Sequence, residues 1–167
     1  MPIEWDWNYK MNNETIKYYI MEIIKNKEFG GERPLFATHD LQLENVTIHT
    51  GESALKECSN IIAVNCRFEG KYPFWHTNGF IVKNCLFTEE ARAALWYSDH
   101  ITMENTKLHG IKALRECSNV KMRGCDVISP EFGWSVHNIE MEECDAESEY
   151  FMMRSANLHF QNVRMRG

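Results

Sequence analysis

The sequence predicts an all-β fold, a single-stranded right-handed parallel β-helix, and three observations carry that prediction. The octets ALKECSNI at 54–61 and ALRECSNV at 113–120 nearly repeat, and the 59 residues between them divide into steps of 19, 21 and 19. At each step stands a copy of one short core: LENVTI (43–48), AVNCRF (63–68), VKNCLF (82–87), MENTKL (103–108), MRGCDV (122–127), MEECDA (141–146) and FQNVRM (160–165). Within the copies, apolar positions fall two residues apart, the period of a strand and not of a helix. A unit repeated every ~20 residues is a solenoid, in which each rung buries its apolar side only against its neighbours.

Aligning Val46, Cys66, Cys85, Thr106, Cys125, Cys144 and Val163 converts the chain into columns. Two residues later stand Ile48, Phe68, Phe87, Leu108, Val127, Ala146 and Met165. Three residues earlier come Leu43, Ala63, Val82, Met103, Met122, Met141 and Phe160, and five earlier Leu41, Ile61, Phe80, Ile101, Val120, Ile139 and Leu158. Eleven earlier stand Leu35, Leu55, Phe74, Leu95, Leu114, Gly133 and Met152. These columns are predicted to face inward from three short strands per rung. A leucine-rich repeat shares the repeat length, but its Asn follows the L-x-L pair by three residues and its return segment is helical. Here the Asn follows by two, and the return holds another Leu-led strand.

An incomplete eighth rung is predicted at Ile24, Asn26 and Phe29, because Lys27 lies 19 residues before Val46. Residues 1–22 fall outside the repeat, as an N-terminal extension or cap. Asn13-Glu14-Thr15 followed by Ile16, Tyr19, Ile20 and Ile23 reads as a short amphipathic helix closing the open end of the core. The alternative is translation from Met21. The β-helix, residues 23–167, stops at Gly167 one residue after a strand. It is expected to be truncated there or to bury that end in a partner.

Two polar columns mark corners. Asn45, Asn65, Asn84, Asn105 and Asn162 form one, with Gly124 and Glu143 as exceptions. Asp40, Asn60, Gly79, His100, Asn119, Asn138 and Asn157 form the other. Asn tolerates left-handed backbone and its stacked amides can bond from rung to rung. The cysteines fall in two more columns, Cys66/Cys85/Cys125/Cys144 and Cys58/Cys117. Stacked side chains point in parallel, a poor geometry for a disulfide, and no pair has zinc-ligand spacing. Free core thiols and a reducing compartment are expected.

With 18 basic and 24 acidic residues the net charge is −6, and no basic-aromatic motif for nucleic acid is present. No apolar run is long enough to span a membrane, and no signal peptide is visible. A cytoplasmic protein without nucleic-acid or membrane partners is the expectation. Nothing in the chain implies a cofactor. Asp126 and Asp145 stack, but flanking Lys107 and Arg164 neutralise them, so no metal site is assigned.

The column ten before the reference holds Phe36, Lys56, Trp75, Trp96, Arg115, Trp134 and Met153. It follows an inward column, so it should face outward, and three exposed Trp exceed ordinary surface scatter. Beside it run Glu57, His76, Tyr97, Glu116, Ser135 and Arg154. Indole faces beside a few polar groups suit a sugar-binding groove, with Lys56, Glu57, Trp75, Trp96, Arg115 and Trp134 as candidate ligand-binding residues. A self-contained aromatic and cation–π stack is the structural alternative. The candidate catalytic residues are His76, Tyr97, Glu116 and Arg154, a base near neutrality, a phenol, a carboxylate and an anion-binding guanidinium. Glu57 and Glu116 are three rungs apart, roughly 14 Å, which is too far for a glycosidase pair.

The segments KYPFWH (71–76), RAALWYS (92–98), HGIKALREC (109–117), SPEFGWSV (129–136) and ESEYFMMRS (147–155) resemble an uncharacterised bacterial family of pectin-lyase-like β-helix proteins, domain of unknown function 3737. The resemblance spans about Ile23 to Gly167. It implies the β-helix and carries no catalytic residues over. The calcium-binding Asp clusters of pectin-lyase-like enzymes have no counterpart here. Carbohydrate binding or processing on the Trp face, with an oligo- or polysaccharide partner, is therefore one expectation. The other is a non-catalytic scaffold for protein interaction or for self-association through the open C-terminal end.

Overall fold

A computed structural model describes residues 21–167. Of the N-terminal helix expected from Asn13 to Ile23, residues 13–20 lie outside the described residues, and Ile23 stands in a strand, where it pairs with Gln42 of the next rung. The chain winds as a parallel β-helix of eight rungs, each contributing one strand to an eight-stranded parallel sheet. The strands of this long sheet, numbered rungs 1 to 8, are Glu22–Lys25, His39–Glu44, Ser59–Val64, Asn78–Lys83, Asp99–Glu104, Ser118–Arg123, His137–Glu142 and Ala156–Gln161. A second eight-stranded parallel sheet runs from Glu28–Glu32 to Arg164–Arg166. The third side is shorter, with Phe74–Trp75, Leu95–Trp96 and Leu114–Arg115 in one sheet and Glu131–Phe132 with Tyr150–Phe151 in another.

The register reproduces the sequence columns. Leu41 pairs with Ile61, Ile61 with Phe80, and Phe80 with Ile101, while Leu43, Ala63, Val82, Met103 and Met122 follow one another two residues on. The incomplete first rung pairs as expected, Ile24 opposite Leu43 and Phe29 opposite Ile48. These side chains form one continuous inner core. In it Phe68 and Phe87 stack at 4.6 Å and Phe74 and Phe80 at 4.3 Å.

One inward column departs from expectation. Gly133 occupies the Leu position of rung 7's return, and Phe132 supplies the core side chain instead. A Cβ on Gly133, whose φ is 81°, would strike the Met152 sulfur. Glycine lets Met152 close over the backbone. In the last rung the core side chains are open: Leu158 is 40% and Met165 54% exposed.

Both Asn columns are left-handed corners, with φ of 46–62° from Asn26 through Asn162 in the first and 52–73° from Asp40 through Asn157 in the second. The amides of Asn45, Asn60, Asn119, Asn138, Asn157 and Asn162 form directional ladders in which Nδ2 donates to the acceptor one rung back. Asn157 donates to Asn138 at 2.8 Å, Asn138 to Asn119 at 3.2 Å, and Asn119 to Asp99 at 2.8 Å. Isolated L-residues avoid this backbone, but Asn and Asp tolerate it because their side chains bond locally.

The cysteines do more than fill volume. All six are free and buried. Each thiol donates to a backbone carbonyl two residues earlier, as Cys66 does to Val64 at 3.3 Å and Cys117 to Arg115 at 3.1 Å. Thr106 and Ser98 take the same columns and make the same bond, to Glu104 at 2.9 Å and Trp96 at 3.1 Å. Small residues with one donor hold the turn carbonyls where each corner enters the core.

Candidate functional site

The Trp column lies along the third side, as the sequence placed it. Lys56 Nζ sits 3.9 Å over the Trp75 ring, Trp75 stacks on Trp96 at 5.2 Å and 13°, and the Arg115 guanidinium lies 5.7 Å from the Trp134 ring centre. All five are half-buried. The rung spacing brings neighbouring rings into contact, so Trp75 and Trp96 cover each other's faces. Tyr72 packs against both, at 5.8 and 5.5 Å. The Nε1 atoms of Trp75 and Trp96 are buried without an acceptor, so neither is presented to a ligand.

The neighbouring column is a third line of left-handed corners. Glu57, His76, Tyr97, Glu116, Ser135 and Arg154 have φ of 48–59°, which turns their side chains outward where strand alternation would turn them inward. Their polarity follows from that position. His76 stacks on Tyr97 at 5.2 Å and 10°, and the two continue the indole stack sideways, Trp75 to His76 at 5.8 Å and Trp96 to Tyr97 at 5.2 Å. The four candidate catalytic residues thus share one edge. The structure brings His76 and Tyr97 together, and Glu116 follows on the next rung. Arg154 lies two rungs beyond Glu116, with Ser135 between them.

A concavity lies elsewhere. On the outward face of the long sheet a groove of ≈ 450 Å³ crosses rungs 5 to 8, lined by His100, Thr102, Lys121, Glu140 and His159, with Asn119, Asn138 and Asn157 along one rim. A second hollow of ≈ 290 Å³ shares Thr102, Lys121, Glu140 and His159 and adds Arg123 and Glu142 on the opposite side. Sequence reading singled out the rim column as corners and missed Thr102, Lys121, Glu140 and His159. Their signal was the outward column Gln42, Ile62, Ile81, Thr102, Lys121, Glu140 and His159, which after Ile62 and Ile81 is polar from Thr102 onward.

Along the groove's far side, alternating charges pair from rung to rung: Lys83 with Glu104 at 3.4 Å and Arg123 with Glu142 at 3.9 Å. Exposed pairs of this kind contribute ~0–1 kcal/mol each. On the second sheet Asp126 accepts from His109 Nε2 at 2.8 Å, and Asp145 meets Arg164 and Arg166 at 3.6 and 3.7 Å. Among the described residues no three His, Cys, Asp or Glu side chains converge as metal ligands. Burial pushes the Cys117 thiol up to about 12, and Cys85 and Cys125 also lie above the ordinary thiol range. Each of those two is held protonated by the thiol stacked against it.

Fold and surface together define a parallel β-helix with a grooved long sheet. The chain belongs to the DUF3737 family of proteins of unknown function, whose model matches residues 22–167. No curated protein matches it. Among solved structures, the chain is similar to the plasmid-mediated fluoroquinolone resistance protein QnrB1 after trypsin treatment. That match is 9% identical and covers 87% of this chain and 92% of the other, with a TM-score of 0.27. Full-length QnrB1 matches at 12% identity, covering 86% of this chain and 93% of the other at TM-score 0.27. A protein provisionally assigned as a glycosyl hydrolase, from Parabacteroides merdae, matches at 14% identity, covering 86% and 81% at TM-score 0.29.

Proposed function

We propose that this protein is a carbohydrate-binding β-helix whose ligand, an extended oligosaccharide, lies in the groove over rungs 5 to 8. The observation that carries the reading is the groove itself, a concavity running across successive rungs with a repeated amide rim. Rungs follow one another at ~4.8 Å, a spacing of the size of one pyranose unit, so successive sugars would meet the repeated rim amides of Asn119, Asn138 and Asn157. Asn119 and Asn138 each use one donor and one acceptor in the ladder and Asn157 one donor, which leaves others for hydroxyl groups. Lys121 and Arg123 stand against Glu104, Glu140 and Glu142, so the groove favours a ligand of low charge. The pectin-lyase-like kinship implied by the sequence resemblance agrees with this class of ligand.

Titration calorimetry against linear neutral and acidic oligosaccharides tests it. A neutral oligosaccharide is expected to bind, to lose about tenfold in affinity on Lys121→Ala with His159→Ala, and to be indifferent to Trp96→Ala. Loss confined to Trp96→Ala would move the site to the Trp band. A second reading, a non-catalytic scaffold, is favoured by the pairing of His76 with Tyr97, whose rings face each other. Turnover of any oligosaccharide by wild type, abolished by Glu116→Gln, would exclude it.

A further inference from the structure

We propose that Cys125 and Cys144 form a two-coordinate site for a soft monovalent cation, Cu(I), held as a linear S–Cu–S bridge between rungs 6 and 7. The inference is independent of the groove. The strands leading into the two cysteines are in register, Met122 opposite Met141 and Arg123 opposite Glu142, and so are those that follow, Asp126 opposite Asp145. The thiols therefore stack one above the other, both buried, and interact directly. Thr106 and Val163 hold the same column on the rungs either side, so the two sulfurs form one isolated pair. Parallel side chains cannot converge to the ~2.05 Å of a disulfide without backbone movement, but a cation between them asks for no convergence. With a thiolate–metal bond of about 2.3 Å, the zinc value, a linear bridge spans about 4.6 Å, close to the ~4.8 Å rung step.

Ligand number and softness select the ion. Zinc takes four ligands and calcium six or more oxygens, and among the described residues no third His, Cys, Asp or Glu joins the pair. Thiolate and thioether sulfur select Cu(I). Met122 and Met141, three residues before the two cysteines, are buried in the same inner core. Beside the other stacked pair, Cys66 and Cys85, those places hold Ala63 and Val82. The corner in front differs as well. Cys66 and Cys85 follow Asn65 and Asn84, whereas Cys125 and Cys144 follow Gly124 and Glu143, the exceptions in the Asn column. Gly124 leaves its corner without a side chain, and the Asn105 side-chain oxygen fills the place a Cβ would take. The Glu143 residue on the next rung is exposed, so oxygen atoms line the approach from solvent. Binding releases both thiol protons to water and forms two S–Cu bonds, which leaves the bridge with one net negative charge.

Anaerobic titration of the full, reduced chain with Cu(I), against bicinchoninate as competing chelator, tests this. Native mass spectrometry is expected to find one Cu(I) retained per chain, and X-ray absorption a nearest shell of sulfur alone. Cys144→Ser should lose the metal, and Cys125→Ser gives the same readout from the other ligand. Both variants should fold, because Thr106 shows that a hydroxyl makes the same corner bond. Cys66→Ser should retain the metal. No Cu(I) kept by wild type, a nearest shell of nitrogen or oxygen, or full retention by folded Cys144→Ser would overturn the proposal. Loss in Cys66→Ser, or two ions of which each serine variant loses one, would overturn the assignment to this pair.

Discussion

Asn138 donates its amide to Asn119 at 3.2 Å while both hold left-handed backbone, φ 60° and 55°. Asn therefore serves two needs at these corners, tolerance of the turn and a bond to the rung before. The ladder ends in a carboxylate, Asp99, which accepts without donating.

Asn138→Ala removes two ladder bonds, the one it donates to Asn119 and the one it accepts from Asn157, and leaves an ordinary residue at positive φ. A loss of about 1–2 kcal/mol is expected in denaturant unfolding. Asn138→Gly keeps the backbone freedom and should cost less.

Close rung packing makes Gly110 irreplaceable. A Cβ there would lie 2.5 Å from the Ala91 carbonyl oxygen, a backbone atom that cannot swing aside. Gly110→Ala should cost about 2 kcal/mol or more by thermal unfolding, and Gly30→Ala, whose nearest neighbour is His49 Cβ at 3.6 Å, should be near neutral.

Phe74 is fully buried between Phe80 and Phe68, at ring distances of 4.3 and 5.3 Å. Phe74→Ala leaves a cavity in a core with no room to collapse, and should cost about 3–5 kcal/mol in chemical denaturation.

His49 lies between Glu69, at 3.1 Å, and Glu28, at 3.3 Å, on the rungs either side. Hydrogen bonds to Glu69 first and Glu28 second raise its pKa above the ordinary 6.5. The stabilisation is therefore fully present below pH 6.5 and fades as pH rises through the folded value. The site is exposed, so the effect is small. An NMR titration should place the His49 midpoint above 6.5, and His49→Gln should remove that part of the pH dependence.

Sequence columns gave away the rungs because burial acts on single positions: Leu43, Ala63 and Val82 recur at the repeat and must point inward. Positive φ at Asn65 was readable for the same reason, since the residue type advertises the turn. At Tyr97 and Glu116 it was not, because those residues take left-handed backbone only under the constraint of their neighbours. Arg33, Ser53, Tyr72, Ala93 and Lys112 do likewise at a fourth corner, so the habit belongs to the coil and not to a site. The groove escaped notice because its residues differ from rung to rung. Thr102, Lys121, Glu140 and His159 share a position but no chemistry. Stacking of the indoles was foreseeable from rung spacing, although their half-burial depended on Tyr72, which sits three residues before Trp75 at another corner.

The placement of the ligand is the central claim, and a chemical-shift footprint tests it most directly. Titrating the isotopically labelled full chain with a neutral oligosaccharide found to bind should perturb amides of Thr102, Lys121, Glu140 and His159, with those of Trp75 and Trp96 unmoved. A footprint centred on Trp75, Trp96, Tyr97 and Glu116, with the long sheet unchanged, would contradict it.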